Sequence, residues 1–346
     1  MQCTLLIPHL FWPRATADIV ARGLELPALS LVLARAHEER YSPVTPEAWL
    51  CQAFEVERQH DWPVAPLTLA VDGGHPEGAY WLRADPVHIK VGREGLRVVH
   101  SALFDVSADE AQVLVAALNA HFEGSDLIFA APHPKRWYVK VSRTPDLLTH
   151  TVGEVAGQDV QRHLPAGADA LAWHGRFNEA QMVLHEHPVN EARETRGEPA
   201  VNSVWFWGGG VTPMVQGRHF ASVASDDAVA TALAAVADVP AAALPADASA
   251  WLATPERARD SSHSPHLVTL DQLATAVAYD DAHAWRTRIE ALEAQWFAPL
   301  VEALRKGRLS ALTVVALGAE ASCRYTVNRA DLLKLWRRPQ PLSAYA

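Results

Sequence analysis

Short apolar runs alternate with amphipathic helical stretches along most of this chain, and that alternation constrains the fold more than any other feature. It predicts an α/β protein, a sheet sandwiched by helices, because runs of four to eight residues suit buried strands and one-striped helices suit the faces of a sheet. The first run, Cys3–Ile7, ends at Pro8. A helix over Asp18–Arg35 carries Ile19, Leu24, Leu29, Leu31 and Leu33, interrupted by Pro27. Thr45 and Pro46 supply an N-cap and a first-turn proline for a helix reaching about Glu57. Between Asp281 and Lys306, the residues Trp285, Ile289, Leu292, Trp296, Leu300 and Leu304 form one stripe, which Pro299 should kink. Leu309–Leu317 reads as the last buried strand, with Asn328 capping a final helix.

The middle third has a different rhythm. Val87–Val91 and Leu96–Val99 flank Gly92-Arg93-Glu94-Gly95 and read as a hairpin. Ser107 and Glu110 form a capping box for a helix to about Phe122, and Leu127–Ala130 and Trp137–Val141 read as two more strands. We expect an inserted α+β cap domain at 76–175, within a core made of 1–75 and 176–346. After Gly175 a helix should reach His187, and a strand Ala200–Trp207 should stop at Gly208-Gly209-Gly210. The alternation then resumes through Phe220–Val223, a helix from Asp226 to about Asp238, Ala241–Leu244 and His266–Leu270. The polar stretch Pro245–Ser264 reads as a surface loop with a short helix around Trp251.

Bulk properties remove several classes of function. A net charge of −10 over 346 residues disfavours nucleic acid, whose binders cluster Lys and Arg. Lys334, Arg337 and Arg338 are the nearest approach to a basic cluster and read as a solvated chain end. No run is long enough to span a membrane, and the opening Met1–Ile7 reads as a strand rather than a secretion signal. Three scattered cysteines suggest neither a disulfide framework nor a zinc site, so the expected setting is cytoplasmic. Twelve tryptophans are expected to anchor a core or a domain interface.

No Walker loop, GxGxxG, HExxH or GxSxG motif is present. His185 and His187 are two apart, so on a helix their rings point to different sides. Ser261–His266 is a loop with two histidines, His263 and His266. The densest polar stretch holds His187, Asn190, Arg193 and Asn202. These side chains could grip a phosphate or carboxylate beside a strand end, or satisfy backbone groups of an irregular connection. Arg83, with Asp85 and His88, and Arg136, with Trp137 and Tyr138, form two further clusters suited to an anion or to an internal salt link.

The stretch HPVNEARETRGEPAVNSVWFWGGG at 187–210 resembles the archaeal-type cofactor-independent phosphoglycerate mutases, which carry a similar run. The likeness extends weakly along the chain to TPEAWL at Thr45–Leu50, to the central α+β unit and to LTVVAL at 312–317, and is nearest to a bacterial offshoot labelled the RpfE-type regulatory proteins. The resemblance implies an alkaline-phosphatase-like sheet with a cap, and a two-metal phosphoryl-transfer site fed by a Ser or Thr nucleophile. The sequence departs from that site almost throughout. Pro8-His9-Leu10 stands where the family has Asp-Gly; Thr45 remains, but Pro46 and Trp49 replace Asp and His. Asp271 lacks the histidine that should follow it, and Gly318-Ala319-Glu320 stands for an Asp-His pair. The expectation is therefore a protein without catalytic residues, metal or cofactor, holding a phosphorylated small molecule or a protein partner. Its candidate ligand residues are His187, Asn190, Arg193, Asn202, Arg83 and Arg136, with Thr45 and Asp271 as remnants of the core site. The competing readings are an active phosphomutase or phosphatase rebuilt from histidines with Asp271, Asp280, Asp281 and Glu320, and an interaction protein with a tryptophan-rich surface.

Overall fold

The computed structural model describes residues 1–76, 78–92, 95–254 and 264–345. The turn residues Arg93 and Glu94, and His263 with most of its loop, lie outside them. Two compact units emerge: residues 1–55 with 216–346, and residues 56–215. The inserted segment is wider at both ends than the expected 76–175.

In chain order, the first unit begins with β1 (Gln2–Pro8), α1 (Arg14–Val20), α2 (Pro27–Arg35), β2 (His37–Tyr41) and α3 (Pro46–Ala53). The second unit contains α4 (Val64–Val71), β3 (Tyr80–Gly92), β4 (Gly95–His100), α5 (Ala108–His121), β5 (Leu127–His133), β6 (Arg136–Val141), α6 (Val152–Val155), α7 (Ala170–His185), α8 (Pro188–Thr195) and β7 (Ser203–Gly210). The chain returns to the first unit for β8 (Ser222–Ala224), α9 (Ala228–Val236), β9 (Ala241–Ala242), α10 (Ala248–Leu252), β10 (His266–Thr269), α11 (Ala274–Ala278), α12 (Ala282–Leu292), α13 (Ala298–Arg305), β11 (Ala311–Leu317) and β12 (Ser322–Asn328).

The first unit is built on a seven-stranded sheet in the order β2-β12-β11-β1-β10-β8-β9. The run β11-β1-β10-β8-β9 is parallel, with Leu5 beside both Val268 and Val314, and β12 and β2 add antiparallel. Its central strands are buried along nearly their whole length and mostly apolar, as expected where helices cover both faces of a sheet. Leu5, Val268, Val314, Trp285, Ile289 and Trp296 belong to one buried cluster. Each such side chain contributes about 1.5–3 kcal/mol relative to exposure.

The sequence reading needs three corrections in this unit. Pro27 starts α2 rather than breaking a longer helix. The expected proline kink is a five-residue π turn, Glu293–Phe297, that joins α12 to α13 and widens the helix where Pro299 lacks an N–H. A further strand, β12, follows β11 and ends at Asn328, whose side chain accepts from the Asp331 N–H at 3.1 Å, and only a short 3-10 turn, Asp331–Leu333, follows instead of a final helix.

In the second unit β3 is the spine of a five-stranded sheet, pairing antiparallel with β4, β6 and β7, while β5 pairs with β6. The strand expected to serve the core, β7, therefore belongs here. It also continues through Gly208-Gly209-Gly210 instead of stopping before them. A Cβ at Gly210 would lie 2.5 Å from that of Pro63, and one at Gly209 would collide with the Tyr80 hydroxyl, so the glycines let β7 pass against its neighbours.

Ten of the twelve tryptophans are buried, in both units, so they are core anchors rather than a docking surface. Only Trp336 is strongly exposed, at 77%. Cys3, Cys51 and Cys323 are free and buried. No helix among the described residues is long and apolar enough to cross a membrane.

Candidate functional site

In an open α/β sheet, ligands bind at the carboxyl ends of parallel strands, where helix N-termini and loops converge. In the first unit that edge collects the residues following β1, β8, β10 and β11. β1 hands over to His9, which has φ of +57°, a strained value for a residue other than glycine. Its backbone N–H donates to Leu317 O at 2.6 Å, and its carbonyl accepts from Trp285 Nε1 at 3.2 Å. Burial lowers the His9 pKa and favours the neutral ring.

β8 hands over to Ser225, Asp226 and Asp227. The Ser225 hydroxyl shares a short hydrogen bond with that of Thr269, at the end of β10, and accepts from the Asp227 N–H at 2.9 Å. The Asp227 carboxylate caps α9 through the Ala230 N–H at 2.8 Å, and Asp226 accepts from the Leu244 N–H at 3.0 Å. Asp271 follows β10. Desolvation first, then repulsion from Asp227 and Asp226, raises its carboxyl above the ordinary range. Thr45 caps α3, accepting from the Ala48 N–H at 3.2 Å. Of the other acids proposed for a rebuilt centre, Asp281 caps α12 through the Ala284 N–H at 2.9 Å, Asp280 sits in a left-handed turn at φ +56°, and Glu320 is exposed.

The structure therefore adds His9, Ser225, Asp226 and Asp227 to the expected Thr45 and Asp271. Ser225-Asp226-Asp227 has a sequence signal, three polar residues between an apolar run and an alanine-rich helix, but so does any N-cap.

A two-metal centre would need several carboxylates and imidazoles converging on each ion. The donors at this edge do not fit that requirement. Among the described residues, Asp226, Asp227 and Thr45 are engaged by backbone N–H groups, the remaining carboxylate is held near like charges, and no group of three His, Cys, Asp or Glu side chains could hold an ion.

All six expected ligand residues lie in the second unit, where most are engaged internally. Asn190, 1% exposed, donates to Leu184 O and Val201 O and accepts from the Val201 N–H. Asn202 pairs with both backbone groups of Ile89, at 2.7 and 2.9 Å. Arg193, 1% exposed, donates to Pro199 O at 2.8 Å, Glu110 Oε2 at 2.8 Å and Asp105 O at 2.7 Å. The His187 ring accepts from the Val189 N–H, and burial lowers its pKa. These four residues bind the connection between α7 and β7 to β3 and α5.

Arg83 and Asp85 form a buried pair joined by two hydrogen bonds, with the Trp207 indole donating to the other carboxylate oxygen. Burial pushes Asp85 up, opposed by the guanidinium. Arg136 grips Asp72 with two hydrogen bonds, joined by the Tyr138 hydroxyl. Desolvation would raise the Asp72 carboxyl, but these donors outweigh it and hold it below the usual range. An anion at these positions would have to compete for donors that Arg193, Asn190 and Asn202 already give to the fold.

No family profile matches the chain. Over 110 residues, 31% of its length, it is 26% identical to a 2,3-bisphosphoglycerate-independent phosphoglycerate mutase of Methanosarcina mazei. Over 66 residues it is 35% identical to a probable enzyme of that name from Geobacter sulfurreducens. The matches span only 28% and 16% of those two proteins' own lengths. Among solved structures, a cofactor-independent phosphoglycerate mutase from Thermoplasma acidophilum aligns over 100% of this chain and 95% of that one, with TM-score 0.51 and 16% identity. The PH0037 protein from Pyrococcus horikoshii aligns over 99% and 92%, with TM-score 0.54 and 12% identity. The fold is thus alkaline-phosphatase-like, and the chain is phosphoglycerate-mutase-like at low identity.

Proposed function

We propose that this chain is a non-catalytic relative of the phosphoglycerate mutases that keeps the fold and acts by binding, in the regulatory manner suggested by its resemblance to the RpfE-type proteins. The observation that supports this reading most is the state of the acids at the carboxyl edge: Asp226 and Asp227 are bound to backbone N–H groups instead of being free to converge on an ion. Without a metal, a Thr45 hydroxyl that caps α3 lacks the activation that would make it a nucleophile. A protein partner suits the molecule better than a phosphorylated metabolite, because the arginines and asparagines that could hold a phosphate are engaged inside the second unit. Buried free cysteines accord with a cytoplasmic setting.

One observation favours the alternative of a rebuilt metal-dependent phosphomutase or phosphatase. Asp271 has its carboxyl raised by Asp227 and Asp226, and functional sites often hold such like-charge groups together.

A thermal-shift experiment separates these readings, since a ligand bound only by the folded state raises the midpoint. We expect neither 3-phosphoglycerate nor Mn²⁺ to raise it. A rise with Mn²⁺ would support the rebuilt site, and a rise with phosphoglycerate alone would restore the metabolite as ligand.

A further inference from the structure

We infer that the segment following β12 docks on an anionic lipid surface, through a knuckle of exposed leucine and tryptophan side chains set among basic residues. Residues 329–338 of the first unit form this knuckle, and its role is independent of the ion chemistry at that unit's carboxyl edge.

Leu333, Leu335 and Trp336 are 73%, 74% and 77% exposed. Scattered apolar residues on a surface are ordinary, but three within four positions make a patch that favours an occupant. Arg329, Arg337 and Arg338 are exposed around them, and Lys334 lies between. Residues 329–338 hold these four basic residues against one acid, Asp331, a local excess of +3 in a chain of net charge −10. The nearby acids of β2, Glu38 and Glu39, face Arg40 and Arg324 at 3.6 and 3.7 Å. Charges more distant than ~10 Å are screened in ~0.1 M salt, so an approaching surface meets a positive patch.

The segment is held in place. Leu332 O accepts from the buried Arg35 at 3.1 Å, Arg337 donates to Ala36 O at 2.8 Å, and Lys334 pairs with Asp331 at 2.6 Å. Leu332 turns inward against the core cluster, while its neighbours Leu333, Leu335 and Trp336 stand outward. A fixed backbone reduces the ordering cost of docking.

A second copy related by a two-fold axis would set Arg337 and Arg338 against their own equivalents as the apolar side chains met, and like charges oppose that. An ordinary protein interface takes ~800 Å² from each partner, more than three side chains supply when even an aromatic offers ~150–250 Å². A nucleic acid would engage the basic residues but leave both leucines in water. A lipid surface uses both kinds of residue. Leucine and tryptophan enter the boundary between headgroups and acyl chains, while arginine and lysine stay with the anionic headgroups.

The test sediments the full chain with vesicles of two parts phosphatidylcholine to one part phosphatidylserine, and with phosphatidylcholine vesicles as control. We expect binding to the first and little to the second, weakening as salt is raised. Trp336→Ala should weaken binding roughly tenfold. Arg338→Glu, which shifts the patch by two charges, should weaken it at least as much. Both positions are exposed, so both variants should keep the parent's circular dichroism and thermal midpoint. Equal binding to the two vesicles, no binding to either, or full binding by Trp336→Ala would overturn the proposal. So would a lipid-free dimer that Trp336→Ala converts to monomer, because a second copy would then cover the patch.

Discussion

The carboxylate of Glu293 accepts the backbone N–H of Ala28 at 2.7 Å, 265 residues away in the chain. Its second oxygen accepts the Leu29 N–H at 2.9 Å. The side chain is buried at 8% exposure and caps α2, whose own N-cap residue, Leu26, has no side chain able to do so. Negative charge at a helix N-terminus is favourable, and the π turn is the part of the α12–α13 helix that carries Glu293 to this position.

Glu293→Ala should therefore unfold the first unit more easily, by about 2–4 kcal/mol, since two buried N–H groups lose their acceptor. At ~2–4 °C per kcal/mol for a unit of this size, calorimetry should record a clear fall in midpoint. Glu293→Gln should fall less, because one acceptor oxygen survives. An unchanged midpoint in Glu293→Ala would mean that water replaces the cap.

Arg193→Ala tests whether the second unit's polar residues are braces or a binding site. With the guanidinium removed, the carbonyls of Asp105 and Pro199 lose a donor while Glu110 keeps Arg196 and the Ser107 N–H, and we expect a loss of about 2–4 kcal/mol with no accompanying change in any ligand response. Retained stability together with a lost phosphoglycerate-induced shift would instead identify an anion site.

How much of this was legible in the chain differs by element. The apolar strands and the Ser107 capping box announce themselves, because burial and capping leave local patterns. β2 escapes notice because HEERY is an exposed edge strand with no apolar face to alternate. α4, VAPLTLAV, is mostly buried and so shows no stripe. β7 is buried along its whole length, and such a strand reads the same whichever sheet it joins. The polar stretch around Arg193 was visible as polar, but sequence does not say whether a guanidinium faces a ligand or three partners of its own chain.

Acid titration should single out Asp72. Its folded-state pKa lies below the unfolded value of about 3.9, so its contribution is complete above that pH and disappears as pH falls through the lower folded value. Asp72→Asn should therefore lower the midpoint at neutral pH and flatten its decline in acid. A decline as steep as that of the native chain would show that the contact with Arg136 and Tyr138 adds no stability.

Asp271 should behave in the opposite sense. Its folded-state pKa is raised, so the ionised form carries a penalty above the folded value that disappears as pH falls to the unfolded one. Asp271→Asn should raise the midpoint at pH 7 and leave it unchanged near pH 3. A lower midpoint at pH 7 would mean that the carboxylate is engaged, as a metal ligand would be.

Asn119→Ala should open the free edge of β5. The backbone N–H and carbonyl of Phe129 lose their partner, at about 1–3 kcal/mol, and we expect concentration-dependent association in light scattering. A monodisperse, equally stable variant would show that the amide is dispensable.

The ability of the first unit's carboxyl edge to gather ions decides between a binding protein and an enzyme. Metal content measured on the full chain after equilibration with Mn²⁺ or Zn²⁺ and removal of the free ion, alongside phosphoglycerate interconversion by the same sample, tests this directly. We expect well under one ion per chain and no turnover above a no-protein control. Two ions per chain with measurable turnover, both abolished by Asp271→Asn, would contradict it.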